Sequence, residues 1–67
     1  MKIGIIGAGA ISQFLIRELK EQENFQVTSI LVRNEEKYKE LARKYHLELF
    51  TNVEAFLQGD FDIVVEA

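Results

Sequence analysis

Apolar and polar residues follow one another in blocks that predict strands and helices in turn. Two apolar runs of strand length, KIGIIG from Lys2 and FQVTSILVR over Phe25–Arg33, contain the β-branched residues that strands favour. Between them, apolar residues recur at helical spacing: Ile11, Phe14, Leu15 and Leu19. This spacing predicts a helix over residues 10–21 with that stripe buried. A strand, a helix and a second strand therefore open the chain.

The alternation continues with a second helix and a short third strand. Asn34 is the predicted N-cap of the helix, because Glu35 and Glu36 follow it where the helix dipole favours carboxylates. The predicted buried stripe of this helix is Tyr38, Leu41, Ala42 and Tyr45. The segment HLELFT, which begins at His46, predicts the third strand.

The last part of the chain predicts a short helix and a fourth strand. Thr51 precedes Glu54 at capping-box spacing, and the predicted inward residues of the helix are Val53, Phe56 and Leu57. The final segment, FDIVVEA, contains a continuous apolar run, which is typical of parallel strands covered on both faces. Strands and helices that alternate throughout predict an α/β fold, a parallel sheet with helices on its faces.

Composition narrows the possible partners and the cellular location. At 67 residues the chain is at most one small domain with a marginal core, and a net charge of −3 argues against non-specific nucleic-acid binding. No apolar stretch approaches the roughly 18 to 20 residues of a membrane span, so we expect no membrane partner. The chain has no cysteine, which fits a reducing, cytoplasmic location and excludes a thiolate metal site.

The candidate chemistry lies in the glycine turn after the first strand. Gly7 and Gly9 match two positions of the G-x-G-x-x-G pattern, and Ser12 stands at the third, where a small residue lets helix and strand pack closely. The pattern follows a strand and opens a helix, as a dinucleotide site requires. Its predicted phosphate donors include the backbone N–H groups of the first helical turn, at Ala10 and Ile11.

The end of the second predicted strand bears on which dinucleotide binds. An acidic residue that holds the ribose 2′-hydroxyl is expected there, but the sequence has Val32, followed by Arg33 and Asn34. An arginine can pair with a 2′-phosphate through two hydrogen bonds, so the pattern favours NADP over NAD. Glu35 and Glu36 follow directly and weaken that interpretation.

Other polar residues carry less chemistry. Glu66 lies at the carboxyl end of the last predicted strand, where ligands bind in open α/β sheets, and is a candidate cofactor neighbour. Asp60 and Asp62 are predicted to start that strand. His46 is the only histidine, and the sequence places no carboxylate to orient it, so we expect a strand-edge residue.

Three segments together resemble a known family: KIGIIGAGAIS at the start, FQVTSILVRNEEK after the first helix and VEAFLQGDFDIVVEA at the end. They resemble the NAD(P)-binding domain of the L-aspartate dehydrogenase family, in which a strand that ends in VEA is typical. The chain is less closely similar to homoserine dehydrogenases and to the glucose-fructose oxidoreductase-like family. The glycine turn of the family carries over to Gly7, Gly9 and Ala10.

The resemblance implies an enzyme that interconverts L-aspartate and iminoaspartate by hydride transfer between the substrate α-carbon and the nicotinamide. It also implies that the catalytic histidine and the substrate-binding residues lie in a second domain beyond residue 67, so no catalytic residue is expected in this chain. Residues 1–67 would be a truncated N-terminal part of a Rossmann-type dinucleotide-binding domain, with four strands in the order 3-2-1-4. We expect this part to bind its cofactor weakly and to catalyse nothing.

Two other interpretations stay open at this point. A non-catalytic nucleotide-sensing module, like the regulatory domains of potassium-uptake systems, begins with the same strand-helix-strand unit but generally keeps the acid that Val32 replaces. A doubly wound domain whose glycine turn binds nothing is the other. The open edge of the last strand further predicts self-association or pairing with a missing C-terminal part.

Overall fold

The computed structural model describes all residues from 1 to 67. The strands are β1 (Lys2–Ile6), β2 (Gln26–Leu31), β3 (Glu48–Phe50) and β4 (Ile63–Glu66), and the helices are α1 (Ala10–Leu19), α2 (Glu35–Tyr45) and α3 (Val53–Leu57). All strand pairs are parallel, and the spatial order is β3-β2-β1-β4. The predicted fold class and strand order are confirmed.

The two faces of the sheet carry different helices. On one face, Ile16 of α1 and Ala42 of α2 pack in a core cluster with Ile3 and Ile5. Gly4, between those two isoleucines, points the other way because side chains alternate along a strand. A Cβ at Gly4 would lie 2.9 Å from the Phe56 ring of α3. Helices α1 and α2 therefore cover one face and α3 the other, as right-handed crossovers require.

The buried stripe of α1 differs from the prediction. Ile11 and Phe14 are 67% and 51% exposed, whereas Ser12 and Ile16 are fully buried. Ser12 occupies the position where the helix packs directly against the turn and β1. Each residue of a helix turns by about 100°, so an inward Ser12 rotates Ile11 and Phe14 toward solvent. Packing at the turn thus sets the rotation of the helix and leaves the apolar side chains of Ile11 and Phe14 exposed to solvent.

Helix α2 begins as predicted, and its end corrects the prediction for His46. The Asn34 side chain accepts a hydrogen bond from the Lys37 N–H at 3.1 Å. The predicted stripe of α2 faces the core. His46, however, is the left-handed C-cap of α2, with φ of 58°, and not a strand residue. The histidine closes the helix with its backbone, since its N–H donates to carbonyls of the last turn.

The last two elements are less covered than the sequence predicts. Asn52, and not Thr51, caps α3, because its side chain accepts from the Ala55 N–H at 3.0 Å. Only Phe56 of the three predicted inward residues of α3 is buried. In β4, Ile63 and Val64 are 42% and 41% exposed, so the prediction of a strand covered on both faces is wrong. The reason is its position at the edge of the sheet.

The amino ends of β1 and β4 are joined by polar contacts. Asp62 accepts a hydrogen bond from the Lys2 N–H at 2.8 Å and donates its own N–H to the Lys2 carbonyl at 2.7 Å. The Lys2 ammonium contacts Asp60 at 2.9 Å. The two aspartates therefore fix the start of β4, as predicted, and they lie at the end of the sheet opposite the glycine turn.

Candidate functional site

Gly7 is required by the backbone of the turn that follows β1. Its φ is +100°, a conformation that side-chain-bearing residues rarely adopt. A Cβ there would lie 2.6 Å from the Ala67 carbonyl oxygen. The Gly7 N–H donates to the Leu31 carbonyl at 2.8 Å, which ties the turn to the end of β2. Conformation and packing thus explain this glycine without any ligand.

Gly9 has neither of these reasons to be a glycine. It is the N-cap of α1, and its φ of −72° and ψ of −173° suit any residue. A Cβ at Gly9 would have no protein atom within 4 Å. Neither backbone conformation nor protein packing requires glycine here, and the open space leaves room for close approach by a bound group. This matches the role of the second glycine in dinucleotide sites.

The start of α1 offers free hydrogen-bond donors to such a group. The backbone N–H groups of Gly9, Ala10 and Ile11 donate to no protein acceptor, and all three residues are exposed. No side chain caps the helix, and its first turn has no acidic residue. Unpaired donors at the positive end of a helix dipole bind phosphate without a basic side chain. The turn therefore fits the pyrophosphate of a dinucleotide.

Two α1 side chains support the turn from behind. The Gln13 side-chain amide donates to the Ala8 carbonyl at 2.8 Å, so it holds the residue between the two glycines. Ser12 is fully buried, and its hydroxyl has no hydrogen-bond partner. The sequence analysis missed Gln13, because nothing in the sequence says that its side chain reaches back five residues.

A cleft of about 620 Å³ opens at the carboxyl end of the sheet. It lies beside β1, whose neighbours β2 and β4 are reached by crossovers in opposite directions. Ligands of open α/β sheets bind at such a switch point. Four of the predicted cofactor-binding residues line the cleft: Gly7, Arg33, Asn34 and Glu66. Gly9, Ala10 and Ile11 are not among its lining residues and stand at the adjacent start of α1.

The residues at the predicted ribose position and the candidate cofactor neighbour Glu66 stand on opposite sides of β1. Val32 is buried, and its N–H donates to the Phe50 carbonyl at 2.9 Å. Because valine has no carboxylate, this position supplies no acid to the cleft. Arg33 and Asn34 follow on the β2 side and are exposed. Glu66 lies on the β4 side, two strand spacings or about 10 Å away. The carboxylate and the arginine thus face different parts of the cleft.

The cleft contains residues that the sequence analysis assigned elsewhere. Tyr38 was expected in the core, and Lys37 belongs to a helix of mixed charge with no sign of a binding role. Both line the cleft, together with Thr51 and Val53 from the loop before α3 and its first turn. The Lys37 ammonium stands 5.4 Å from the centre of the Tyr38 ring. In the sequence Lys37 is one of several cations of this helix, and no local signal distinguishes it from them.

Other features are remote from this cleft. His46 is exposed and caps α2 at the far end of the helix. The chain contains no group of three or more histidine or acidic side chains arranged to hold a metal ion. None of the helices has the length and apolar character needed to cross a membrane.

Comparison with known proteins agrees with this geometry. The model of an oxidoreductase family with an NAD-binding Rossmann fold matches residues 1–66. The chain is 30% identical over its whole length to an L-aspartate dehydrogenase of Methanocaldococcus jannaschii, of which it covers 26%. It is 37% identical to an L-aspartate dehydrogenase of Archaeoglobus fulgidus, of which it covers 24%.

A solved structure shows the same architecture. The UDP-N-acetylglucosamine 3-dehydrogenase GnnA from Acidithiobacillus ferrooxidans superposes with a TM-score of 0.78 at 25% identity, over all of this chain and 21% of that one. The chain thus spans about a quarter or less of the length of these relatives. From its family match and its glycine-turn cleft, we conclude that the chain belongs to the oxidoreductase family with the NAD-binding Rossmann fold.

Proposed function

We propose that residues 1–67 bind the adenosine and pyrophosphate part of NAD(P) in a dehydrogenase that acts on L-aspartate. The observation that carries the cofactor part is Gly9, a glycine that the protein itself does not require, at the head of a helix with free N–H donors. The names of the two archaeal relatives support aspartate as substrate. When bound, the nicotinamide supplies the hydride acceptor or donor, which no side chain can.

Within this proposal each predicted residue has a role. Gly7 shapes the turn, and Gly9 with the N–H groups of Ala10 and Ile11 receives the pyrophosphate. Arg33 and Asn34 face the ribose of the adenosine, and Glu66 borders the cleft on the β4 side. No residue of this chain is proposed to take part in proton or hydride transfer.

NADP is the preferred cofactor in this proposal. Val32 leaves the ribose without the acid that selects NAD, and Arg33 is free of ion pairs. Glu35 and Glu36, which counted against a phosphate in the sequence, have no oxygen within the ion-pair distance of 4.0 Å of Arg33. A guanidinium without a partner can pair bidentately with a 2′-phosphate.

We further propose that residues 1–67 are the N-terminal part of a longer dinucleotide-binding domain, in a cytoplasmic protein that binds neither nucleic acid nor membrane. Coverage of only 24% and 26% of the curated relatives supports the first part. The exposed Ile63 and Val64 on edge strand β4 support pairing of that edge with further chain or with a second copy. The absence of cysteine supports the cytoplasmic location, and the net charge of −3 supports the absence of nucleic-acid binding.

Two measurements test the proposal. Calorimetric titration of the 67-residue chain should show weak binding of NADPH, and tighter binding of NADH that survives Arg33→Ala would contradict the NADP preference. The longest protein that the gene encodes should reduce NADP in the presence of L-aspartate. Aspartate-dependent reduction by the 67-residue chain alone would contradict the assignment of catalysis to residues outside it.

A further inference from the structure

A second cavity, of about 220 Å³, opens between the carboxyl ends of α1 and α2. Its remaining walls come from the segment that starts β2 and the residue before β3. These elements place the cavity at the amino end of the sheet, whereas the glycine-turn cleft lies at the carboxyl end. No residue lines both. The second cavity is therefore separate from the proposed cofactor site.

The floor of this cavity is part of the hydrophobic core. Ile16 and Leu47 are buried members of the core cluster, and Leu19 and Val27 are half-buried against it. All four line the cavity. Burial of apolar surface against such side chains is favourable because it removes that surface from water. A ligand seated here is therefore apolar on its inner side.

Two aromatic side chains complete the apolar lining. Phe25 is 39% exposed although it is a large apolar residue, and Tyr45 is half-buried at the end of α2. Aromatic rings favour offset or edge-on contacts with other rings. Benzene fits an apolar cavity of roughly 150 Å³, so this one has room for a single aromatic ring with a short side chain.

The charge at the cavity is positive. The Lys20 ammonium lies 5.4 Å from the centre of the Tyr45 ring, and the Lys44 ammonium lies 5.3 Å from it. Neither lysine has a carboxylate oxygen within 4.0 Å. No acidic residue lines the cavity. Leu49 packs on this face of the sheet, so Glu48 beside it points to the other face, because side chains alternate along a strand.

The helix ends at this cavity are already capped. Carboxyl ends of helices attract cations through their free carbonyls. Here the Ile16 carbonyl accepts from the Lys20 N–H at 3.2 Å. The Ala42 carbonyl accepts from the Leu47 N–H at 2.8 Å. With these acceptors occupied, the groups left to bind a ligand are donors: the Lys20 ammonium and the imidazole of His46, which also lines the cavity.

We propose that this cavity binds a small aromatic carboxylate. The ring lies on the apolar floor between Phe25 and Tyr45, and the carboxylate accepts a charge-assisted hydrogen bond from Lys20. An apolar floor selects the ring, and an unpaired cation without a competing acid selects the charge. This site is additional to the proposed cofactor site and does not depend on it.

Phenylacetate and its uncharged counterpart phenylacetamide test the site in the parent protein. Each is titrated into the purified, ¹⁵N-labelled protein and followed by NMR. The backbone amide signals of Val27, His46 and Leu47 should shift, and those of Gly7 and Gly9 should not. Phenylacetate should bind with a Kd of about 1 mM or below, and phenylacetamide about 10-fold more weakly, because it cannot form the contact between opposite charges.

Two variants separate the charge from the ring. Lys20→Gln should weaken phenylacetate binding about 10-fold and change phenylacetamide binding less than about 2-fold. Phe25→Ala should weaken both about 5-fold, since an aromatic contact is lost. Arg17→Gln and Phe14→Ala are the matched controls, because this cation and ring, 5.7 Å apart on α1, lie outside the cavity. Both controls should leave the two affinities unchanged.

Several results would overturn the proposal. Absence of shifts at the cavity residues would remove the site, and shifts confined to the glycine turn would place carboxylate binding at the start of α1 instead. Equal affinity for the acid and the amide would remove the role of Lys20, as would an equal loss in Arg17→Gln. The comparison of the two ligands needs only the parent protein, so it holds even if a variant fails to fold, which circular dichroism checks.

Discussion

The side-chain amide of Gln13 donates a hydrogen bond to the carbonyl of Ala8, so helix α1 holds the turn that leads into it. The two atoms are 2.8 Å apart in a partly buried contact. Ala8 lies between the two glycines, and its own side chain is buried. The turn is therefore fixed from the helix side, while its outward N–H groups stay free for a ligand.

Gln13→Ala should loosen that turn. We expect a loss of about 1 kcal/mol in the free energy of unfolding, because the Ala8 carbonyl loses its donor. Binding of 5′-ADP should weaken as well, since the pyrophosphate donors are no longer held in place. Urea denaturation and calorimetry measure the two effects. Gln22→Ala, in the exposed turn after α1, is the control, and an equal effect there would contradict the role of Gln13.

The two glycines of the turn should respond in opposite ways to a small side chain. Gly9→Ser adds a preferred N-cap residue in open space, so the free energy of unfolding should stay the same or rise by up to about 0.5 kcal/mol. Cofactor binding should fall at least about 10-fold. Gly7→Ala should lower the free energy of unfolding by about 2 kcal/mol or more, because φ is +100° and the Cβ meets Ala67. Denaturation curves and NADPH titrations of both variants distinguish these effects. Intact binding in Gly9→Ser would contradict the ligand role of Gly9.

The unpartnered hydroxyl of Ser12 should cost stability. Ser12→Ala removes a buried polar atom that has no hydrogen bond, so the free energy of unfolding should rise by about 1 kcal/mol. Ser12→Val should lower it, because a larger, branched side chain would have to fit into a fully buried site. Thr28→Val, at the other unpartnered hydroxyl, should also stabilise the protein. A destabilised Ser12→Ala protein would indicate a hydrogen-bond partner in solution.

The Lys2–Asp60 contact gives a pH-dependent signal away from the cleft. The hydrogen bond from Lys2, and then its charge, lower the pKa of Asp60 below its usual 3.8. The same hydrogen bond and the charge of Asp60 raise the pKa of Lys2 above 10.5. The contact should therefore stabilise the fold fully between pH 3.8 and pH 10.5. Its contribution should be lost as pH falls through the lowered pKa of Asp60, and also as pH rises through the raised pKa of Lys2.

NMR titration of the Asp60 carboxyl measures this directly. In Lys2→Met the pKa of Asp60 should return toward 3.8, and added salt should move the parent protein the same way, because the pair is exposed. An unchanged Asp60 titration in Lys2→Met would contradict the contact.

The edge strand β4 should make the isolated chain associate. Val64→Lys places a charge on an edge strand where an apolar side chain is now 41% exposed, so self-association should decrease. Val53→Lys, on α3 and 55% exposed, is the matched control for removing an exposed valine. Sedimentation velocity at several concentrations measures both. A parent chain that stays monomeric at high concentration would contradict the role of the edge.

The sequence predicted the elements whose signals are local. Asn34 and the two glutamates after it mark the start of α2, and Tyr38, Leu41, Ala42 and Tyr45 mark its inward side. The prediction failed for α1, whose apolar residues fit a stripe at Ile11 and Phe14, while the buried stripe includes Ser12. The choice between these two rotations depends on how the helix meets the turn, which is a tertiary contact. No local pattern contains it.

Site residues show the same division. Gly7 and Gly9 were predicted from a linear motif of one strand, one turn and one helix, and Arg33 was predicted from its place at the end of the second strand. Lys37 was missed because α2 carries several cations of similar appearance in the sequence. Only the position of its first turn beside the ends of β1 and β2 separates Lys37 from them. Sequence patterns report on each element, and the cleft arises where elements meet.

The pairing of the first strand with the last has a consequence for how the molecule is made. Lys2 and Asp62, joined by a hydrogen bond at the base of the two strands, are 60 residues apart in the chain. At ribosomal rates of 5–20 residues per second, β1 waits roughly 3 to 12 s for that neighbour. Strands β2 and β3 can join it earlier. The wall of the cleft nearest Gly7 therefore forms only once β4 has emerged, later than the wall beside β2, and a nascent chain cannot hold its cofactor fully before then.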